Sequence, residues 1–445
     1  MEHNKKERSS FSGGIGFVLA AAGSAVGLGN LWRFPYLAAQ YGGGIFILVY
    51  IILALTFGFT LMTTEIAIGR KTKQSPGTAY KAINKKFGFL GVLAPIVPVI
   101  ILPYYCVIGG WVVKYMVTFV SRHGLDAAAD SFFGNFVGNS ISPMIYFAVY
   151  LGLTAAVILL GVNKGIESTS KIIMPILLVM ILGIAIFSLT LKNTNDAGEV
   201  VTGLQGFKIY IVPNFEGLTI GKLFTVLIDA LGQLFFSLSV AMGIMITYGS
   251  YVKDDANLGK SINQIEIFDT VVAFLAGAMI IPAVYAFMGT EGMSSGPSLM
   301  FVSLPKVFAA MGVAGNIIGT IFFAMVLFAA ITSAVSVMEA VVSCIMDAFH
   351  TSRTKAGTIE GIFALIVGIV VCLGYNKLYF EFKLPNGSTA QILDIMDYIS
   401  NNLLMPIVAL ATCILVGWVI KPKTVIEEVE KSGCKMGRKR LYTAM

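Results

Sequence analysis

Charged residues are scarce in this chain: they make up 12% of its 445 residues, whereas 56% are hydrophobic. Histidine and cysteine are also rare, with three and five copies, and no cysteine spacing resembles a disulfide framework or a CxxC metal site. The net charge is +7, but the lysines and arginines are confined to particular loops between apolar stretches. That distribution does not indicate binding to nucleic acid.

The chain is rich in long apolar stretches. Many of them run for about 18 to 25 residues, the length of helix that crosses a hydrocarbon core about 30 Å thick. The first stretch lacks a small-residue cleavage pattern, which favours a retained span over a signal peptide. The pattern predicts an all-α polytopic membrane protein with about ten spans, near residues 14–37, 43–69, 88–120, 143–162, 167–191, 218–250, 264–289, 316–348, 357–375 and 391–420.

Basic residues cluster in two places, residues 70–86 after the second span and residues 421–445 after the tenth. Because basic loops stay on the cytoplasmic side of a membrane, both regions are predicted to be cytoplasmic. The alternate loops hold few lysines or arginines, so ten spans with both termini in the cytoplasm form a self-consistent topology.

Two spans contain residues that do not suit contact with lipid. The first carries G-S-A-V-G-L-G-N-L-W-R-F-P at residues 23–35, and the sixth carries L-G-Q-L-F-F-S-L-S-V-A-M-G at residues 231–243. Irregular backbone is tolerated at membrane depth only around a protein-lined site or cavity. Interrupted segments at corresponding positions of two halves indicate an inverted-repeat transporter. The alternative is that the small residues only allow close helix packing, since Gly23 and Gly27 form a GxxxG pair.

An intramembrane enzyme is poorly supported. G-M-S-S-G at residues 292–296 matches the G-x-S-x-G pattern, but a nucleophile elbow needs a strand, a turn and a helix with a base nearby. The three histidines lie outside the predicted spans, and no HExxH occurs. We therefore expect no enzymatic activity.

These motifs together resemble the neurotransmitter:sodium symporter family, in its bacterial amino-acid-transporting branch. Beside the stretch at residues 23–35, the resemblance rests on Q-L-F-F-S-L-S at residues 233–239, the tyrosine pair 104–105 and A-A-I-T-S at residues 329–333. It implies a leucine-transporter-like 5+5 inverted-repeat fold with helices 1 and 6 broken. The implied segments are a cytoplasmic N-terminal segment 1–12, a first repeat 13–191, an extracellular loop 192–217, a second repeat 218–420 and a basic cytoplasmic tail 421–445.

The same resemblance implies the function. It predicts a sodium-coupled symporter that imports a hydrophobic or aromatic amino acid by alternating access and needs no organic cofactor. A sensor or a channel built on the same fold is the alternative. The expected partners are a small-molecule amino acid, sodium ions and the lipid bilayer; whether the protein forms a homodimer stays open. The short loop between spans 3 and 4 lacks the paired cysteines of animal members, which favours a bacterial inner membrane.

Two sodium sites are implied by the resemblance. Sodium is a hard cation that prefers oxygen ligands, and a broken helix offers carbonyls that its own hydrogen-bond ladder no longer uses. A Thr332–Ser333 pair could instead bond back to carbonyls one turn earlier. The first site would use the Ala25 carbonyl with Asn30, Ser237 and Asp269; the second would use the Gly23, Val26 and Ala329 carbonyls with the Thr332 and Ser333 hydroxyls.

The implied amino-acid site lies between the broken helices. Its carboxylate would meet the Leu28 and Gly29 N–H groups near a half-helix N-terminus, together with the Tyr105 hydroxyl. Family members that carry amines have an aspartate where this chain has Gly27, so the substrate is expected to bring its own carboxylate. The ammonium group would meet Ala25, Phe236 and Ser239, and the substrate side chain would meet Ile101, Phe236, Met242, Ala334 and Val337.

Further acids and bases receive roles from the resemblance. Asp269 would supply the negative charge that chloride supplies in animal members, which predicts chloride-independent transport; the alternative is an aspartate near a loop at a helix end. Glu65 would bind the loosened backbone of the sixth helix. The outer gate would be Arg33 with Asp397, with Phe236 as the lid over the substrate, and the inner gate would be Arg8, Tyr251 and Asp347.

Overall fold

The structure, a computed structural model, describes residues 10–194, 198–293, 299–385 and 389–445. Nine helices in these ranges are long and apolar enough to cross a membrane, and the bent pair Gly14–Ala25 and Gly29–Gln40 makes a tenth span. The prediction of ten spans is confirmed. With the bent pair as span 1, the others are span 2 Gly44–Thr72, span 3 Lys85–Val120, span 4 Ser142–Leu159, span 5 Val162–Thr190, span 6 Ile220–Ser237, span 7 Leu258–Thr290, span 8 Val313–Phe349, span 9 Arg353–Leu373 and span 10 Ile392–Val419.

Spans 1 and 6 are both interrupted. The two halves of span 1 meet at an angle of 50°. Span 6 ends at Ser237, and the chain resumes as the helix Ile244–Ser250, which we call the inner half of span 6. In the link between them Ser239 and Ala241 have φ angles of 54° and 63°. These positive φ angles lie outside the right-handed helical region, so the helix cannot continue through the link.

The link is held from span 2. The Ala241 N–H donates to a carboxylate oxygen of Glu65 at 2.7 Å, and the Glu65 side chain is fully buried. This is the contact that the resemblance implies for Glu65. A carboxylate inside the protein thus replaces the helical partner that the backbone has lost.

Smaller elements connect the spans. Several spans contain π-helical turns, at Gly29–Arg33, Ala54–Gly58, Val162–Glu167, Tyr398–Leu404 and Leu415–Val419. The loop predicted between the repeats holds the antiparallel strands Lys192–Thr194 and Val200–Thr202 and a helix. The connecting helices are Pro76–Ile83, Asp126–Ala128, Asp130–Gly138, Gly203–Ile211, Leu299–Ser303 and Leu304–Ala310, and a second strand pair is Phe382–Lys383 with Thr389–Ala390.

The basic tail folds back onto the protein. It forms the helices Lys421–Glu430 and Lys439–Ala444, which pack against the inner part of span 2 and the start of span 7. The Arg70 side chain of span 2 is fully buried against Glu428 of the tail, with 2.8 Å between Nε and Oε1. The Tyr442 hydroxyl lies 2.6 Å from that of Thr64. The sequence alone predicted only that this segment is basic and cytoplasmic.

Candidate functional site

The break in span 1 presents backbone groups to the interior. The first half of span 1 ends at Ala25, and Val26 leaves the helical region with φ −79° and ψ 96°. Gly23, Ala25 and Val26 therefore lie where carbonyls lack partners within the helix. The Leu28 N–H donates to the Tyr105 hydroxyl at 3.2 Å. The structure thus brings together two of the groups that the resemblance assigns to a substrate carboxylate.

Asp269 is the centre of a buried cluster of polar side chains. Its carboxylate accepts hydrogen bonds from Asn30 Nδ2 at 2.8 Å, from the Ser237 hydroxyl at 2.7 Å and from the Tyr50 hydroxyl at 3.1 Å. Asn30, Ser237 and Asp269 are each at most 1% exposed. Three of the residues predicted for one sodium site therefore converge, and their oxygens and negative charge suit a hard cation.

The residues predicted for the second sodium site line the contact between spans 1 and 8. Gly23 faces Thr332 closely, since a Cβ placed on Gly23 would lie 3.2 Å from the Thr332 Cβ. The Thr332 hydroxyl donates back to the Ala329 carbonyl at 3.1 Å, and the Ser333 hydroxyl donates across to the Ser24 carbonyl at 3.1 Å. Thr332 thus bonds within its own helix, as the alternative considered from the sequence expects, whereas Ser333 reaches span 1; the second sodium site stays a prediction.

The space between the breaks is closely packed. Met242 and Ile101 are at most 2% exposed and Val337 is 4% exposed, so the predicted side-chain pocket is buried. The Phe236 ring lies 6.5 Å from the Tyr105 ring, centroid to centroid. A Cβ placed on Gly29 would lie 2.7 Å from the Phe236 ring. Ser239 donates to the Ser24 carbonyl at 3.1 Å, which holds the link of span 6 against the break of span 1.

Comparison with known proteins decides the family. The profile of the sodium:neurotransmitter symporter family matches residues 8–126 and 135–441. The chain belongs to this family. It is 34% identical over 441 residues to the uncharacterised sodium-dependent transporter YhdH of Bacillus subtilis, covering 96% of this chain and 92% of that protein. It is 24% identical to the human sodium- and chloride-dependent GABA transporter 2, covering 96% of this chain and 76% of that one.

A solved structure agrees with this family over nearly the whole chain. The crystal structure of MhsT in complex with L-phenylalanine superimposes with a TM-score of 0.86 and 31% sequence identity, covering 98% of this chain and 96% of MhsT. The protein is therefore a sodium-dependent symporter of the sodium:neurotransmitter symporter family, a multi-pass membrane protein and not an enzyme. Its fold is the broken-helix fold that the sequence predicts.

The pair predicted for the outer gate is Arg33 with Asp397, and the structure gives Asp397 other partners. Asp397 accepts hydrogen bonds from the Tyr104 hydroxyl at 3.1 Å and from Asn401 Nδ2 at 2.6 Å. Among the described residues, no hydrogen bond or ion pair joins Arg33 to Asp397. Asp229, to which the resemblance assigns no role, accepts the Tyr41 hydroxyl at the outer end of span 1.

Tyr251, which is predicted for the inner gate, makes contacts that the sequence did not predict. Its hydroxyl donates to Glu339 at 2.5 Å, and Glu339 also binds Arg353, with 2.6 Å between Nη1 and Oε2. Asp347 accepts the Ser75 N–H at 2.7 Å. Arg8, the predicted partner of Asp347, lies outside the described residues, so that pair stays a prediction.

Two residues of the site have roles that sequence reasoning missed. Gln233 stood out as a polar residue in span 6; its Nε2 donates to the Gly29 carbonyl at 3.0 Å and so joins the two breaks. Tyr50 gave no signal, because a tyrosine in an apolar span has no distinctive pattern. Only the fold brings its hydroxyl to Asp269.

Proposed function

We propose that this symporter imports a hydrophobic or aromatic amino acid with sodium, and without chloride, by alternating access. The observation that carries the proposal is the meeting of Leu28, Tyr105 and Gly27 at the break of span 1. The Leu28 N–H and the Tyr105 hydroxyl are 3.2 Å apart, so one carboxylate could accept from both. A Cβ on Gly27 would lie only 2.8 Å from the Ser333 hydroxyl oxygen, which argues against an acidic side chain there.

The apolar lining supports a hydrophobic or aromatic side chain on the substrate. Ile101, Met242 and Val337 are buried and carry no hydrogen-bonding group that a polar side chain would need. Methionine adapts its shape to a bulky ligand. MhsT, whose structure holds L-phenylalanine, is 31% identical to this chain, and this similarity supports an aromatic substrate here too.

Asp269 supports independence from chloride. Its carboxylate is fully buried, and no lysine or arginine pairs with it in the part of the chain that the structure describes. A buried charge needs an opposite charge beside it. A sodium ion bound by Asp269, Asn30, Ser237 and the Ala25 carbonyl would provide that charge, and the site would then require no additional anion.

Two coupled sodium ions would give an adequate driving force. The second would use the Gly23, Val26 and Ala329 carbonyls with Thr332 and Ser333. Each ion that enters with a zwitterion carries one charge, which is worth about 2.3 kcal/mol per 100 mV. Two ions give about 4.6 kcal/mol, or over a thousandfold accumulation at about 1.4 kcal/mol per tenfold.

We further propose that both termini face the cytoplasm of a bacterial inner membrane. Asp254, in the loop after span 6, contacts Lys73 after span 2 and Lys431 of the tail, so the three segments share one side of the protein. Cys434 of the tail is the one cysteine among the described residues that is exposed. In intact cells an impermeant maleimide should leave Cys434 unlabelled, and in inverted vesicles it should label it. A homodimer stays a prediction.

Uptake into proteoliposomes tests the proposed function. We expect saturable uptake of radiolabelled L-phenylalanine that needs a sodium gradient and persists when gluconate replaces all chloride. Large apolar amino acids should compete with it. Phenethylamine, which lacks the carboxylate, should not compete.

Other results would contradict the proposal in distinct ways. A chloride requirement in pure proteoliposomes would exclude the role of Asp269. Flux without saturation would indicate a channel, and binding without accumulation would indicate a sensor. The D269N variant should lose sodium-dependent uptake in gluconate, whereas D255N, in the loop after span 6, should retain it.

A further inference from the structure

Span 7 carries a second buried acid close to Asp269. The Glu266 side chain is 2% exposed and lies three residues before Asp269. Residues three apart on a helix are surface neighbours with Cβ atoms about 5 to 6 Å apart. The charge of Glu266 therefore acts on Asp269. An unpaired carboxylate here would change the electrostatic potential at the site proposed for sodium.

Arg438 of the tail meets this acid with both terminal nitrogens of its guanidinium group. Nη1 lies 3.0 Å from Glu266 Oε1, and Nη2 binds Glu266 Oε2. Nη2 also donates to Asn263 Oδ1 at 2.6 Å, and Nη1 donates to the Leu55 carbonyl at 3.1 Å. The guanidinium carbon lies 3.6 Å from the centroid of the Phe59 ring. Such a bidentate, stacked geometry suits arginine and would not suit lysine.

The tail is fixed on both sides of Arg438. Before it, Glu428 binds the buried Arg70 of span 2. After it, Tyr442 binds Thr64 of the same span. A folded segment that contacts spans 2 and 7 thus positions Arg438 beside Glu266.

Stability alone is a weak reason for such a pair. Replacing a buried ion pair with apolar residues of similar volume is often neutral or stabilising, because both charges must lose their water. A second reason for the Arg438–Glu266 pair is its position, one helical turn from Asp269. We propose that Arg438 neutralises Glu266 and thereby sets the affinity of the Asp269 site for sodium. The inference rests on the proposed sodium site at Asp269.

Single and double substitutions separate charge from packing. E266Q leaves the Arg438 cation unpaired next to the helical turn that carries Asp269; at an effective dielectric constant of about 20, a unit charge about 10 Å away repels sodium enough for about a tenfold loss of affinity. R438Q leaves the Glu266 carboxylate unpaired, so sodium affinity should increase. The double variant E266Q/R438Q restores neutrality and should lie within about twofold of the wild type. A structural role would weaken sodium binding in all three variants.

Sodium affinity is measured on the purified full chain from the rise in thermal unfolding temperature as sodium is added. The sodium concentration that gives half of the maximal rise is the measure of affinity, and choline keeps the ionic strength constant. K431Q is the matched control, because it removes a different cation of the tail, about half exposed, and should bind sodium as the wild type does. If E266Q cannot be purified, R438Q and the double variant still decide: sodium binding in R438Q that is no tighter than in the double variant, or weakened binding in the double variant, would overturn the inference.

D269N separates this inference from the proposed function. If D269N binds sodium as the wild type does, Asp269 does not hold an ion, and the sodium site proposed there falls together with the role of Arg438. If D269N weakens sodium binding while E266Q keeps wild-type affinity, the proposed site stands and only the role of Arg438 is refuted.

Discussion

Gly27 is the residue at which the smallest change should have a large effect. A Cβ there would lie 2.8 Å from the Ser333 hydroxyl oxygen and 2.9 Å from the Tyr105 hydroxyl oxygen. Ser333 belongs to the predicted sodium site and Tyr105 to the predicted substrate site, so any shift that relieves the clash also moves groups that we expect to bind the ion and the substrate. Glycine is required here by close approach and not by an unusual φ angle.

G27A should therefore weaken amino-acid binding by about tenfold or more, since misplacing a buried hydrogen-bonding group costs about 1 to 3 kcal/mol. Equilibrium binding of radiolabelled L-phenylalanine to the purified protein measures the effect. G152A in span 4 is the control, because a Cβ at Gly152 meets nothing within 4 Å. Equal affinity for G27A and wild type would show that the site adapts to a methyl group.

Asp254, which lies outside the spans, makes a pH-dependent contribution to the stability of the fold. Its carboxylate lies 2.9 Å from Lys73 and 2.8 Å from Lys431, and hydrogen bonds from these two lysines lower its pKa to about 2. A lowered pKa favours the charged form in the folded state. The stabilisation is therefore fully present above the ordinary aspartate pKa of about 3.9 and is lost as the pH falls toward 2.

D254N should thus lower the unfolding temperature slightly at pH 7 and progressively less between pH 4 and pH 2. The carboxylate is 51% exposed, so the effect at pH 7 should stay below about 1 kcal/mol. Thermal unfolding of D254N and wild type at pH 7, 5 and 3 measures it. High salt should also reduce the difference; an effect that is independent of both pH and salt would contradict an electrostatic origin.

The element that sequence patterns describe best is the broken span. Polar residues inside apolar stretches predicted both interruptions, because lipid excludes unpaired backbone. The side chains that stabilise those interruptions could not be predicted in the same way. Glu65, Gln233 and Tyr50 come from spans distant in sequence, and only the first was assigned its partner, through the resemblance and not through any local pattern.

The inner half of span 6 packs on span 2 through two glycines. A Cβ on Gly249 would lie 2.3 Å from the Ile66 carbonyl oxygen, and a Cβ on Gly69 would lie 2.0 Å from the Ile246 carbonyl oxygen. Because backbone atoms cannot yield as a side chain does, the two helices must separate if either glycine gains a methyl group. Small residues at membrane helix contacts allow this kind of approach.

G249A should destabilise the protein by about 1 to 3 kcal/mol through overpacking. The unfolding temperature in detergent measures the loss. G417A in span 10, where a Cβ meets nothing within 4 Å, should instead leave stability unchanged or raise it, because alanine has the higher helix propensity. Equal behaviour of the two variants would contradict the close packing of spans 2 and 6.

At the scale of the whole molecule, the folded tail connects segments that the spans alone leave separate. Arg70 has no exposed surface, and its guanidinium donates to Glu428 and, at 2.9 Å, to the Ala256 carbonyl. Arg70 therefore joins both the tail and the loop before span 7 to span 2. The position of this segment is stabilised by a buried charge pair whose loss would leave one charge without a partner.

E428Q should destabilise the docked tail by about 3 kcal/mol, because it leaves the Arg70 charge buried and unpaired. We expect a lower unfolding temperature and faster trypsin cleavage between residues 431 and 440. E427Q is the control: the Glu427 carboxylate is 63% exposed and lies 3.7 Å from Lys423 at the surface. If the tail of E428Q resists trypsin as the wild type does, the Arg70 contact does not hold it.

The sequence by itself determined the number of spans and the two broken helices, because apolar length and misplaced polar residues are local properties that a bilayer makes decisive. The tertiary structure alone decided which distant groups meet. It brought Tyr50 to Asp269, Arg353 to Glu339 and Arg438 to Glu266. A buried charge is stabilised by whichever partner packing brings within hydrogen-bonding distance, and no pattern along the chain specifies that distance.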